Sequence, residues 1–109
     1  IALADDSQAP GVFQAAADLD LSVPGDLSIL GFGNQDHRSA SALGLTTVEW
    51  PLKDMTEAAV SSIINVIEGR SPMTDIHPQA SIDEEAADGT PIATIPTRPV
   101  WRSSVARRS

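Results

Sequence analysis

The sequence predicts an α/β domain, a mostly parallel sheet with helices on its faces, and three observations carry that expectation. Short apolar runs recur at residues 1–4, 27–32 and 45–50. Between and after them lie two stretches of helical periodicity, at residues 7–19 and 51–70. The run at 27–32 is apolar nearly throughout, which is the pattern of a strand covered on both faces. With 109 residues and 41% hydrophobic content, the chain can bury one modest core.

Ile1-Ala2-Leu3-Ala4 reads as the end of a buried strand, and Asp6 or Ser7 is expected to cap the next helix by accepting orphan backbone N–H groups. Pro10 suits that helix because a first-turn N–H has no partner to lose. Val12, Phe13, Ala15, Ala16 and Leu19 form its apolar face. Pro24 and Gly25 break the pattern, and Leu27, Ile29, Leu30 and Phe32 supply the second strand. Residues 33–44 turn small and polar, a long loop with room for a helical turn. Thr46, Thr47 and Val48 are β-branched and give a third strand, after which Pro51 opens a new helix.

In that helix Leu52, Met55, Ala59, Ile63, Val66 and Ile67 share one face, and Lys53, Asp54, Glu57, Ser61 and Asn65 take the other. Gly69 stops it, with Arg70 complementing the negative helix end. Residues 71–91 hold Pro72, Pro78, Gly89 and an acidic group of Asp75, Asp83, Glu84, Glu85 and Asp88, and are expected to form a loop. Ile92, Thr94, Ile95, Val100 and Trp101 suggest one or two edge strands interrupted by Pro96 and Pro99. The tail carries Arg98, Arg102, Arg107 and Arg108, read as a solvated basic terminus.

Composition excludes several functions. A net charge of −8 opposes nucleic-acid binding by this chain as a whole, because Lys and Arg supply the phosphate-neutralising affinity. The absence of cysteine removes disulfides and thiolate chemistry. No apolar run reaches the roughly 18 to 20 residues needed to span a bilayer. His37 and His77 stand alone in loops, so no metal ligand set is expected. Gly31-Phe32-Gly33 lacks the third glycine of a dinucleotide fingerprint, and no Ser, His and acid set marks a nucleophile. Asp5 and Asp6 are adjacent and should diverge instead of facing one substrate. Neither catalytic residues nor a cofactor are expected. Because Ile1 starts inside a structural element, the chain reads as part of a longer polypeptide.

Several motifs coincide in one order: Asp5-Asp6 before Ala9 and Gly11; Val23, Pro24, Asp26, Ser28, Gly31 and Phe32 in the pattern Val-Pro-x-Asp-x-Ser-x-x-Gly-Phe; and Leu45-Thr46-Thr47-Val48. In this the chain resembles the C-terminal part of the effector-binding domain of LacI-family transcription regulators. The resemblance implies a type I periplasmic-binding-protein-like fold, present here in part. Residues 1–44 would belong to its C-terminal lobe, 45–50 to a hinge crossover strand and 51–70 to a helix of the N-terminal lobe. Residues 71–91 would be an acidic loop or insertion, and 92–109 a terminal strand and basic tail. The resemblance further implies a small-molecule effector, a sugar or sugar acid, and operator DNA bound by a domain outside this chain. It implies a homodimer with Pro10, Gln14 and Ser41 at the seam, a cytoplasmic location and no membrane partner.

Open parallel sheets bind ligands at the carboxyl ends of their strands, where Asp5 and the loop from Gly33 to Asp36 would sit. The expected ligand contacts are Asp5, Asn34 and Asp36. Family members carry an Asp at the position of Gly33, so this chain departs from the pattern there. The alternative is a sugar-binding receptor of an ABC-type transport system, which shares the fold; the Val-Pro-x-Asp-x-Ser and Leu-Thr-Thr-Val signatures favour the regulator.

Overall fold

The computed structural model describes residues 1–106, apart from the side chain of Asp83. It divides into two units, one comprising Ile1–Trp50 with the chain from Thr97, the other Pro51–Pro96.

In the first unit three extended segments run parallel, through bridges from Ala2 to Leu30, Leu30 to Thr46 and Gly33 to Glu49. The backbone bonds Leu3 N to Leu30 O, Gly31 N to Thr46 O and Gly33 N to Val48 O are each 2.8 Å. On the outer side, strand β1 (Thr47–Glu49) pairs antiparallel with β4 (Arg98–Val100), with Thr47 opposite Val100 and Glu49 opposite Arg98. Pro99 is therefore inside the edge strand, where a missing N–H costs no inner ladder bond. Ser104, 2% exposed, closes the opposite end, its hydroxyl accepting from Thr46 N at 2.7 Å and donating to Ile29 O at 2.6 Å.

A 3-10 turn over Asp6–Gln8 leads into α1 (Ala9–Asp18), and α2 occupies His37–Ala42 within the expected loop. Ala9, Ile29, Ala40 and Leu45 form the buried core, with Leu3, Val12, Phe13, Val23, Leu27 and Leu43 packed around it. The small side chains Ala9 and Ala40 let both helices approach the sheet closely. Ala15 and Leu19, expected on the apolar face of α1, are exposed, Leu19 at 70%. The buried stripe runs through Ala9, Val12, Phe13 and Ala16 instead, because the chain meets the sheet along the first turns of the helix.

In the second unit α3 spans Leu52–Ile67. Its packing reverses the expectation. Leu52, Met55, Val60, Ile63, Ile64, Val66 and Ile67 are 45–78% exposed, whereas Asn65, assigned to the solvent side, is 5% exposed. The segment after the helix folds across the polar side: Asn65 Nδ2 donates to Thr74 O at 2.7 Å, and Asn65 Oδ1 accepts from Arg70 Nε at 3.1 Å and Nη2 at 2.9 Å. Arg70 thus fastens this segment, and it also pairs with Glu68.

The expected acidic loop, 71–91, instead enters a hairpin that runs to Thr94. β2 (Ser81–Glu85) pairs antiparallel with β3 (Pro91–Thr94), with a register shift between Ser81 and Glu84. Its turn is closed by Ala86 N to Thr90 O at 2.7 Å, with Asp88 Oδ1 accepting from Thr90 N at 2.9 Å. Asp88-Gly89 is a turn-forming pair, and Gly89 takes a φ of +84°. The basic positions Arg107 and Arg108 lie outside the described residues. Among the described residues no helix is long and apolar enough to cross a membrane.

Candidate functional site

The two adjacent aspartates diverge, and the cap falls to Asp5 instead of Asp6 or Ser7. Asp5 is the cap: its Oδ1 accepts from Ser7 N at 2.8 Å at the start of the 3-10 turn. Asp6 turns toward the sheet, where Oδ2 accepts from Asn34 N at 2.8 Å and Oδ1 from Thr47 Oγ1 at 2.7 Å. One carboxylate therefore fastens the ends of all three parallel segments. Gly31 makes room for it, since a Cβ there would overlap the Asp6 carboxylate and lie 2.8 Å from Leu45 Cδ2.

Around this junction lies a pocket of about 320 Å³ whose lining includes Asp5, Ser7, Phe32, Gln35, Asp36 and Leu43. Asp36 caps α2, accepting from Ser39 N at 3.2 Å and Ser39 Oγ at 2.6 Å. Hydrogen bonds from the Ser39 hydroxyl and amide hold the Asp36 carboxyl below the ordinary carboxylate range, and bonds from Ser7 do the same for Asp5. Both are ionised acceptors at neutral pH. Gly33 has a φ of +118°, backbone that L side chains rarely adopt. An Asp or any other L residue at this position would be strained.

The structure brings Asp5 and Asp36 to one pocket but does not bring Asn34 to its lining. Asn34 is 8% exposed, and its amide is engaged within the protein: Nδ2 donates to Glu49 Oε1 at 3.0 Å, and Oδ1 accepts from Arg102 Nη2 at 3.1 Å. Glu49 also pairs with Arg98. Sequence reasoning missed Asp6, Glu49 and Arg102 as site residues, because their partners are 15 to 68 positions distant. Pro10, Gln14 and Ser41 are exposed on the helices α1 and α2; Pro10 also lines the pocket, and Gln14 Nε2 donates to Asp18 Oδ1 at 2.9 Å.

The Arg98 hydrogen bond, followed by that from Asn34, holds the Glu49 carboxyl below the ordinary glutamate value of 4.5. A depressed folded value means the interaction stabilises fully above the ordinary value and is lost as pH falls through the folded one. Protection of the β1–β4 amides from hydrogen exchange, corrected for intrinsic rates, is therefore expected to be flat above pH 4.5 and to fall below it. A profile unchanged by Glu49→Gln would assign that loss to other groups.

His77 is not the isolated histidine its sequence context suggested. Its Nε2 lies 3.4 Å from Asp54 Oδ1 and 3.7 Å from Glu57 Oε2 on α3, a set of metal-ligand types. Its Nδ1 accepts from Gln79 N at 3.1 Å.

Residues 1–105 match the family profile of the periplasmic binding protein-like domain. The HTH-type transcriptional repressor PurR of Pectobacterium atrosepticum is 30% identical over 77% of this chain, which spans 26% of that protein. Among solved structures, a LacI-family transcriptional regulator from Burkholderia phymatum aligns with a TM-score of 0.62 at 28% identity, covering 97% of this chain and 32% of its own. A dimeric Lac repressor aligns with a TM-score of 0.68 at 18% identity, over 95% of this chain and 32% of its own. The relatives are transcriptional regulators, not enzymes. The match over residues 1–105 places the chain in the periplasmic binding protein-like domain family, and its relatives include LacI-family transcriptional regulators.

Proposed function

We propose that the pocket between Asp5 and Asp36 is one wall of the effector site of a DNA-binding transcription regulator, and that its ligand is a sugar or sugar derivative. The observation that carries this reading is the pairing of two ionised, acceptor-only carboxylates across an apolar wall at the carboxyl ends of the parallel segments. Such groups suit ligand hydroxyls as donors, with the Phe32 and Leu43 side chains against a ring face. Residues 1–44 supply this wall, 45–50 cross a hinge, and 51–70 form a helix of the other lobe, whose remaining residues cover the apolar face of α3. Residues 71–91 are an insertion that supplies β2 and the turn of the hairpin, and 92–109 complete β3 and return through the hinge to the basic tail. Operator DNA is bound by a separate domain of the cytoplasmic regulator, which acts as a homodimer through Pro10, Gln14 and Ser41. The protein is not an enzyme. Because its relatives are named as repressors, the regulator is favoured over a transport receptor of the same fold.

The test is paired. In the full-length regulator, Asp5→Ala is expected to weaken sugar binding roughly ten-fold to a hundred-fold, the loss of one charge-assisted hydrogen bond. It should also lower the melting temperature, because Asp5 caps the 3-10 turn; Asp5→Ser restores the cap and the melting temperature without restoring affinity. Titration calorimetry against a panel of sugars and sugar acids, with thermal melting of each variant, reads both effects. Equal affinity in wild type and Asp5→Ala would remove Asp5 from the ligand.

A further inference from the structure

Glu49 occupies a particular place in the chain. It and its antiparallel partner Arg98 lie immediately inside the two points, Trp50/Pro51 and Pro96/Thr97, at which the chain passes between its two units. One Glu49 oxygen is held by Arg98 and the other, Oε1, accepts from Asn34 Nδ2 at 3.0 Å. Asn34 belongs to the pocket loop, directly after Gly33 and two residues before Asp36. Its backbone takes a φ of +53°, and its N–H is held by Asp6 at 2.8 Å. Arg102 completes the tie, donating to Asn34 Oδ1 at 3.1 Å and to Leu45 O at 2.7 Å, while its backbone N donates to Thr46 Oγ1 at 2.8 Å. A second contact runs beside it: Phe32, in the pocket lining, meets Trp50 edge to face with centroids 5.6 Å apart.

We propose that Glu49 is a positioning residue that couples the pocket loop at Gly33 to Asp36 to both crossing strands, and that forming this tie is the function of Asn34. The inference rests on the reading of the pocket as an effector site, and it assigns the route by which occupancy at Asp36 reaches the crossings. A loop backbone at positive φ, in Gly33 and Asn34, has few conformations in which the Asn34 amide still reaches Glu49, so displacement of the loop by a ligand and displacement of the crossing strands are linked. A bond through a single carboxylate with two partners provides that link without any intervening chain.

Hydrogen exchange on the full-length protein, read by mass spectrometry at residues 33–36 and at residues 46–50, tests the tie. Arg98→Gln is expected to accelerate exchange at 33–36 about ten-fold, the factor for weakening one hydrogen bond to a charged group. The decisive variant is the charge swap Glu49→Arg with Arg98→Glu. It restores an ion pair between β1 and β4 but offers Asn34 Nδ2 no acceptor at position 49. The melting temperature and the protection at 46–50 should recover relative to the single variants, while 33–36 stays fast. A pair that merely staples two strands would recover at both places, and that result would overturn the proposal, as would unchanged exchange at 33–36 in Arg98→Gln. Should the swap variant fail to fold, Asn34→Ala combined with Arg98→Gln decides: acceleration no greater than in either single variant supports the tie, and multiplicative acceleration contradicts it. Failure of the effector reading appears separately, as the absence of saturable sugar binding in calorimetry, and does not move these exchange rates.

Discussion

Asp6→Ala is expected to lower stability by about 3 kcal/mol, more than any other single change at the strand ends, because it removes the acceptor of two charge-assisted hydrogen bonds at once. Thr47 is fully buried, so its hydroxyl would be left without the carboxylate and without water. The Asn34 N–H would lose its partner in a loop already held at positive φ. Asp6→Asn should cost about half as much, since one amide oxygen can serve one of the two donors while the amide NH2 opposes the other. Combining Asp6→Ala with Thr47→Val should cost less than the sum of the single changes, because the valine removes the stranded hydroxyl. Urea unfolding followed by circular dichroism measures all of these. A loss below about 1 kcal/mol for Asp6→Ala would show that the junction is held by the backbone ladder alone.

The second large effect is expected on α3. Ile63 and Val66 are 62% and 58% exposed within these residues, yet they lie on the apolar face of α3. In the full-length regulator, where the proposed lobe covers that face, Ile63→Glu should cost about 3 kcal/mol or more, by lost burial and by placing a carboxylate against an apolar surface. In the 109-residue chain the same substitution should instead reduce self-association in sedimentation, because the face is open. A full-length Ile63→Glu variant as stable as the wild type would mean that the face is solvated there too, and would remove the assignment of α3 to the second lobe.

These two cases mark where the sequence was legible. The alternation of apolar runs with helical periodicity located the parallel segments at 1–4, 27–32 and 45–50 and the helix α3 within three residues of its ends, since burial on two faces leaves an unmistakable composition. The same periodicity identified the apolar stripe of α3 but not its environment, because a pattern states which face needs cover and not whether these residues supply it. Asp5 and Asp6 were recognised as a strand-helix junction, yet the cap was expected at Asp6 or Ser7 and is made by Asp5. A cap and a cross-strand acceptor demand the same residue type, and the deciding partners, Ser7 against Asn34 and Thr47, are fixed by tertiary structure. Asn34 was expected at the ligand for the same reason: its loop was correctly placed, but its amide is claimed by Glu49 and Arg102 from the far end of the chain. The hairpin at 81–94 carried a signal that composition obscured, the Asp88-Gly89 pair, hidden among acidic residues that rarely favour strands.

The central claim is that the strand-end pocket faces the effector, and a hydrogen-exchange footprint of the full-length regulator tests it most directly. With the tightest-binding sugar of the calorimetric panel at saturation, protection is expected to increase at residues 5–10 and 32–43, the segments that build the pocket, and to be lost in the Asp5→Ala, Asp36→Ala double variant at the same sugar concentration. Saturable binding that leaves both segments unchanged, with protection confined elsewhere, would contradict the assignment.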